Sequence, residues 1–178
     1  MSLLSRRRFV AALASTPALA APAWATASVS EPRALSFSHL HTGEHLRNIE
    51  YFSGGRYVLD ALSEINHVLR DFRTGAVAEI DRGLLDLLHR LHGLTGSSRP
   101  FEIISGYRSP QTNQMLHRRS SGVATKSLHM VGQAVDIRVA DVPLAQLRKA
   151  ALAMKAGGVG YYPGSNFVHV DTGRVRQW

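Results

Sequence analysis

Between Ser127 and Asp136 the chain sets a histidine, His129, seven residues ahead of a carboxylate, Asp136, with Gly132 between them. Residues seven apart face opposite ways along one strand and the same way along a helix. Gly132 and the β-branched run Val135, Ile137 and Val139 disfavour a helix. The spacing predicts a loop carrying His129, a turn at Gly132 and a strand from about Gln133 to Val139. On that strand Val135, Ile137 and Val139 take one face, and Ala134, Asp136 and Arg138 take the other.

A second stretch, Gly157 to Asp171, predicts a strand, a Pro163-Gly164 turn and a strand. On the last strand Phe167, His169 and Asp171 share a face. If both strands lie in one sheet, Asp136 and His169 point into one cleft and His129 reaches it from its loop. Two imidazoles and one carboxylate, with a fourth position left to water, form the ligand pattern of a catalytic zinc. The expected site is therefore one zinc ion held by His129, Asp136 and His169.

Ser127, His129, Gly132, Ala134 and Asp136 fill every fixed place of the Ser-x-His-x-x-Gly-x-Ala-x-Asp signature of the M15 zinc peptidases, which the chain resembles. Ser105-Gly-Tyr-Arg-Ser109 is similar to that family's arginine-bearing loop. From His41-Thr-Gly-Glu44 to Arg176-Gln-Trp178 the resemblance narrows to the murein endopeptidase K (YcbK) type. It implies an α+β fold of the D-Ala-D-Ala peptidase kind: a small antiparallel sheet carrying the metal, with helices packed on one side. It also implies an exported zinc metallopeptidase that hydrolyses peptide cross-links of peptidoglycan. Diaminopimelate-diaminopimelate (3-3) and D-Ala-diaminopimelate (4-3) bonds are both open. The alternatives are a D-Ala-D-Ala-type carboxypeptidase and a non-catalytic murein-binding protein with a vestigial zinc site.

In the wider family a glutamate or histidine stands two or three residues before the last histidine ligand. Here Asn166 and Phe167 stand there, and neither can take a proton. Asp171 is the nearest titratable substitute, either as the general base or as a carboxylate that orients a ligand. Arg108, by its family position, would anchor the substrate or stabilise a developing oxyanion.

The N-terminus carries an export signal. In Ser5-Arg-Arg-Arg-Phe-Val10, Arg6 and Arg7 match a twin-arginine pair. An alanine-rich run follows, too mild to span a bilayer, and Ala23-Trp-Ala25 offers a cleavage site. An ordinary secretory signal is the other reading, and both lead to the periplasm. The expected organisation is a signal over 1–25, a linker over 26–34 and one peptidase domain over 35–178. Removing the signal takes three arginines and no acid from a formal charge of +8, so the mature chain stays basic. It lacks a basic run interleaved with aromatics, which argues against nucleic acid as a partner. With no cysteine, disulfides and thiolate zinc ligands are excluded.

The remaining patterns are structural. Leu35 to Tyr51 suggests a hairpin about Thr42-Gly43, with His39, His41 and His45 as surface or groove histidines. Helices are predicted over Tyr57 to Phe72, after Asp81 as cap with Leu84, Leu87, Leu88, Leu91 and Leu94 buried, over Pro110 to Arg119, and from Pro143 to a stop at Gly157. His89 and His92 fall off the leucine stripe and are expected in solvent. Phe101 to Ile104 is a short strand.

Overall fold

A computed structural model describes residues 31–120 and 122–178. The expected export signal over 1–25 and residues 26–30 of the expected linker lie outside the described residues. Arg33 and Ala34, at the end of that linker, already belong to the first strand.

The chain opens with the expected hairpin: β1 (Arg33–His39) pairs antiparallel with β2 (His45–Ser53). A short β3 (Arg56–Tyr57) follows, then α1 (Leu59–Val68) and α2 (Arg82–Thr95). Asp81 caps α2 by accepting from the Gly83 amide at 3.0 Å, satisfying one of the unpaired donors of a helix start. Leu84, Leu87, Leu88 and Leu91 are buried as the period requires, and Leu85 joins them. Leu94, one residue from the helix end, is instead 59 % exposed.

Next come β4 (Phe101–Ser105), α3 (Pro110–Arg119), a 3-10 turn (Leu128–Val131), β5 (Ala134–Val139) and α4 (Leu144–Met154). Ser109 caps α3 and Pro110 opens it, as expected. α4 stops before Gly157, at Lys155, which takes the left-handed conformation with φ 48°. β6 (Gly158–Tyr162), β7 (Phe167–Asp171) and β8 (Arg176–Gln177) complete the chain.

The fold is α+β. The sheet is larger than the expected small one, with eight strands in the order β3-β2-β1-β4-β5-β7-β6-β8. It is also mixed, because β1 pairs parallel with β4 and β6 parallel with β8. α1 and α2 lie between β1 and β4 in the chain and supply the long crossover that a parallel pair needs.

The pleat separates the two faces of this sheet. Leu35, Phe37, Phe101, Ile103, Val135, Ile137, Val139, Val168 and Val170 form one core with the buried sides of α1, α2 and α4. Each such side chain contributes roughly 1.5–3 kcal/mol by leaving water. The other face carries Asp136 on β5, His169 and Asp171 on β7, and Gly158, Gly160 and Tyr162 on β6, in cross-strand register. That face carries the candidate site.

Candidate metal centre

Asp136 and His169 are direct partners across the β5–β7 ladder. His129 comes from the 3-10 turn, which Ser127 caps by accepting from the His129 amide at 3.3 Å. Gly132 ends the turn with φ 68°. A side chain at Gly132 would also strike the Glu79 carbonyl, so the position excludes one on two counts. The Gly132 carbonyl accepts from the Asp81 amide at 3.0 Å, tying the turn to the start of α2.

The three predicted ligands converge. His129 Nε2 lies 3.2 Å from Asp136 Oδ1 and 3.2 Å from His169 Nδ1, which lies 2.9 Å from the same oxygen. All three residues are buried. The outer nitrogens fix the tautomers. His129 Nδ1 is 2.7 Å from the Gly106 carbonyl, which can only accept, so Nδ1 carries the hydrogen. His169 Nε2 is 3.0 Å from Asp171 Oδ2 and donates to it. In the neutral rings both inward nitrogens present lone pairs toward a carboxylate oxygen. A cation relieves that opposition. A tetrahedral zinc at roughly 2.0–2.2 Å holds its ligands about 3.3–3.6 Å apart, so the triangle need open by only a few tenths of an ångström.

The local field agrees. Burial and the neighbouring Arg108 and His169 push the His129 imidazole down, against Asp136, toward its neutral form. Burial also opposes a charge on His169, but Asp136 and Asp171 outweigh it and raise the group. A positive ion at Nδ1 would meet the same field. Burial alone would raise Asp136, yet His129, His169 and Arg108 hold its carboxyl well below the usual range.

Arg108 and Asp171 stand one contact outside the triangle. Arg108 donates through Nε to Ser105 Oγ at 2.9 Å and through Nη2 to Asp136 Oδ2. It also lines the cavity, so it touches both Asp136 and that open space. Asp171 is fully buried. Its Oδ1 accepts from the Gly158 amide at 2.9 Å, the Gly173 amide at 2.9 Å and Arg176 Nη1 at 3.1 Å. Its Oδ2 accepts from His169 and from Arg176 Nη2 at 2.7 Å. Burial alone would raise this carboxyl, but these donors hold it well below the usual range. One of these contacts holds the outer nitrogen of His169.

The triangle opens onto a cavity of about 440 Å³. Among the described residues Asp136 is the one acidic side chain that lines it. Phe167, at the family's base position, stacks on Tyr162 with ring centroids 4.5 Å apart. The other base position, Asn166, is a left-handed turn residue with φ 53°.

The sequence did not single out Arg176, Tyr162 or Trp178. The available signal was Gly158 and Gly160 inside a strand, since a strand glycine often marks a close approach by another group. A Cβ at Gly160 would lie 2.7 Å from the Trp178 ring. Other histidines also differ from expectation. His39 is buried, not at the surface, and its Nδ1 accepts from the His41 amide at 3.2 Å. Burial pushes its pKa down to about 4, so it serves the hairpin turn as a neutral ring. His41 and His45 are exposed, and His89 and His92 are half-buried rather than solvated. Among the described residues only His129, Asp136 and His169 gather as a potential metal set.

Comparison with known proteins gives a consistent family. Residues 27–178 match the family described as peptidoglycan L,D-endopeptidase MepK. The peptidoglycan L,D-endopeptidase MepK of Escherichia coli K12 is 51 % identical over 160 residues, covering 90 % of this chain and 87 % of the relative. A Shigella flexneri protein of the same name matches to the same extent. The probable peptidoglycan L,D-endopeptidase MepK of Haemophilus influenzae is 41 % identical over 155 residues, covering 86 % of this chain and 83 % of the relative. With the match running through both strands and the turn that bring His129, Asp136 and His169 together, the chain belongs to the MepK family of M15 peptidases.

Proposed function

We propose that this chain is a periplasmic zinc metallopeptidase that hydrolyses peptide cross-links of peptidoglycan during cell-wall growth and remodelling. The observation that carries this reading is the convergence of His129 Nε2, Asp136 Oδ1 and His169 Nδ1 on the wall of an open cavity. When bound, zinc supplies a Lewis acid that polarises a peptide carbonyl and eases deprotonation of water. The chain's own residues orient that chemistry. The Gly106 carbonyl and Asp171 fix the two imidazoles, and Arg108 holds the outer oxygen of Asp136. Among the described residues Arg108 Nη1 has no hydrogen-bond partner, leaving it to meet a substrate oxygen in the cavity.

The relatives' names specify a bond from an L-centre to a D-centre. That favours the 3-3 cross-link, whose acyl side is the L-centre of diaminopimelate, over the 4-3 bond, whose acyl side is D-Ala. Zinc-loaded protein is expected to convert 3-3 cross-linked muropeptide dimers to monomers, and a chelator should stop the reaction. Mass analysis of the products decides. Release of free D-Ala from pentapeptides instead would make the protein a carboxypeptidase. Murein binding without any mass change would make it a binding module.

Export through the twin-arginine translocase is part of the same proposal and rests on Arg6 and Arg7. No helix among the described residues is long and apolar enough to cross a membrane. Changing Arg6 and Arg7 together to lysine should keep the protein out of the periplasm. Undiminished periplasmic protein would point to the general secretory route.

A further inference from the structure

We infer that Tyr162 is a substrate-contacting hydrogen-bond donor of the cleft, and that Trp178 is the residue that positions it. The inference deepens the peptidase reading and rests on it for the nature of the ligand, a peptide with carbonyl and carboxylate oxygens.

Strand β6 places Gly158, Gly160 and Tyr162 on the face that carries His169. Without side chains, the two glycines leave room on that face. A Cβ at Gly158 would lie 2.5 Å from Arg176 Nη1, and one at Gly160 would lie 2.7 Å from the indole of Trp178. The end of the chain fills this room. The Trp178 amide donates to the Val159 carbonyl at 3.2 Å, and the Tyr161 amide donates to the Trp178 carbonyl at 3.0 Å. The Arg176 guanidinium, already forked onto Asp171, lies 4.9 Å over the Trp178 ring. The same ring is 5.2 Å from His169. The indole, though 47 % exposed, is held from three directions beside His169 and forms part of the wall.

Its one polar atom is used. Trp178 Nε1 lies 2.7 Å from the Tyr162 hydroxyl oxygen. An indole N–H can only donate, so the phenol accepts and its own O–H is free to donate elsewhere. Among the described residues that hydroxyl has no other hydrogen-bond partner, and both residues line the cavity. Phe167, stacked on the ring from β7, restrains it from the other side. The cavity lining also offers Arg108 and Lys126, and among the described residues its one acidic side chain, Asp136, is already engaged by Arg108. A peptide oxygen entering this cavity would meet cationic donors in its lining, with Tyr162 supplying a neutral one.

The test uses the full chain in four forms: parent, Tyr162→Phe, Trp178→Phe and the double variant. Each is checked for zinc content, for kcat/KM on cross-linked muropeptide, and for calorimetric binding of that muropeptide to the zinc-free protein. All four should hold the parent's zinc. Each single variant should lose about 10–100-fold in kcat/KM and weaken binding, as expected when a donor to a charged or developing oxygen is removed. The double variant should lose no more than Tyr162→Phe, because Trp178 acts through that hydroxyl. In a Trp24→Phe background Trp178 is the sole tryptophan, and its emission should shift on muropeptide binding. Tyr162→Phe with parental binding and kcat/KM would overturn the inference. So would losses that multiply in the double variant, or zinc lost in step with activity. A parent that binds muropeptide without cleaving it would refute the peptidase reading, while the binding arm would still decide the role of Tyr162.

Discussion

Asp136→Ala is expected to take the purified protein from one zinc per chain to none and to reduce murein cleavage to background. Asp136 supplies the one negative charge of the triangle, and its Oδ1 is the atom that both histidine nitrogens face at 2.9 and 3.2 Å. Its loss also strands the Arg108 guanidinium, whose side chain is only 13 % exposed. Breaking a buried pair by removing one partner costs roughly 3–5 kcal/mol, so the variant should also unfold at lower temperature. Asp136→Asn separates these effects, because it keeps volume and one acceptor but gives up the charge. His129→Ala and His169→Ala should lose zinc as completely. Elemental analysis of the purified variants, beside their melting curves, reads the result. Full zinc retained by any of the three alanine variants would remove that residue from the site.

Much of this geometry was legible in the sequence because local rules govern it. The β5 alternation put Asp136 opposite the apolar face, and the β7 alternation put His169 and Asp171 together. One cross-strand pairing then joined the two patterns. Gly132 marked its turn because a left-handed φ favours glycine. What escaped depended on contacts distant in sequence. The parallel β1–β4 and β6–β8 pairs leave no periodic trace in either partner. Arg108 had a family position but no local partner, and only the folded chain brings it onto Asp136 from 28 residues away. His39 looked like a surface histidine until the turn folded its own amides onto the ring and buried it. Arg176 and Trp178 lie in a short tail whose meaning comes from the two glycines it covers.

The second large effect concerns Asp171, for which the sequence left two roles open. Asp171→Asn should weaken zinc binding ~10–100-fold, and excess zinc should restore most of the cleavage. The carboxylate accepts from five N–H groups, donated by His169, Arg176, Gly158 and Gly173. An amide has one accepting oxygen, and its NH2 must face donors whichever way it is turned. Either orientation loosens His169 or the tail strand. Stability should fall as well, though by less than the ~3–5 kcal/mol of a fully buried pair, because Arg176 is 31 % exposed and can rehydrate. The sign of the pH dependence follows from the depressed carboxyl. A group whose folded pKa lies below its unfolded value stabilises the fold fully above the unfolded value of about 4. That contribution is lost as pH falls toward the folded value. In zinc-free protein, the melting-temperature gap between parent and Asp171→Asn should therefore be widest near neutrality and narrow in acid. A general base would behave differently: zinc affinity would stay at the parent's level, turnover would drop ~10²–10⁴-fold, and added zinc would rescue nothing. That result would move Asp171 from orienting His169 to taking the proton, despite its buried and fully hydrogen-bonded setting.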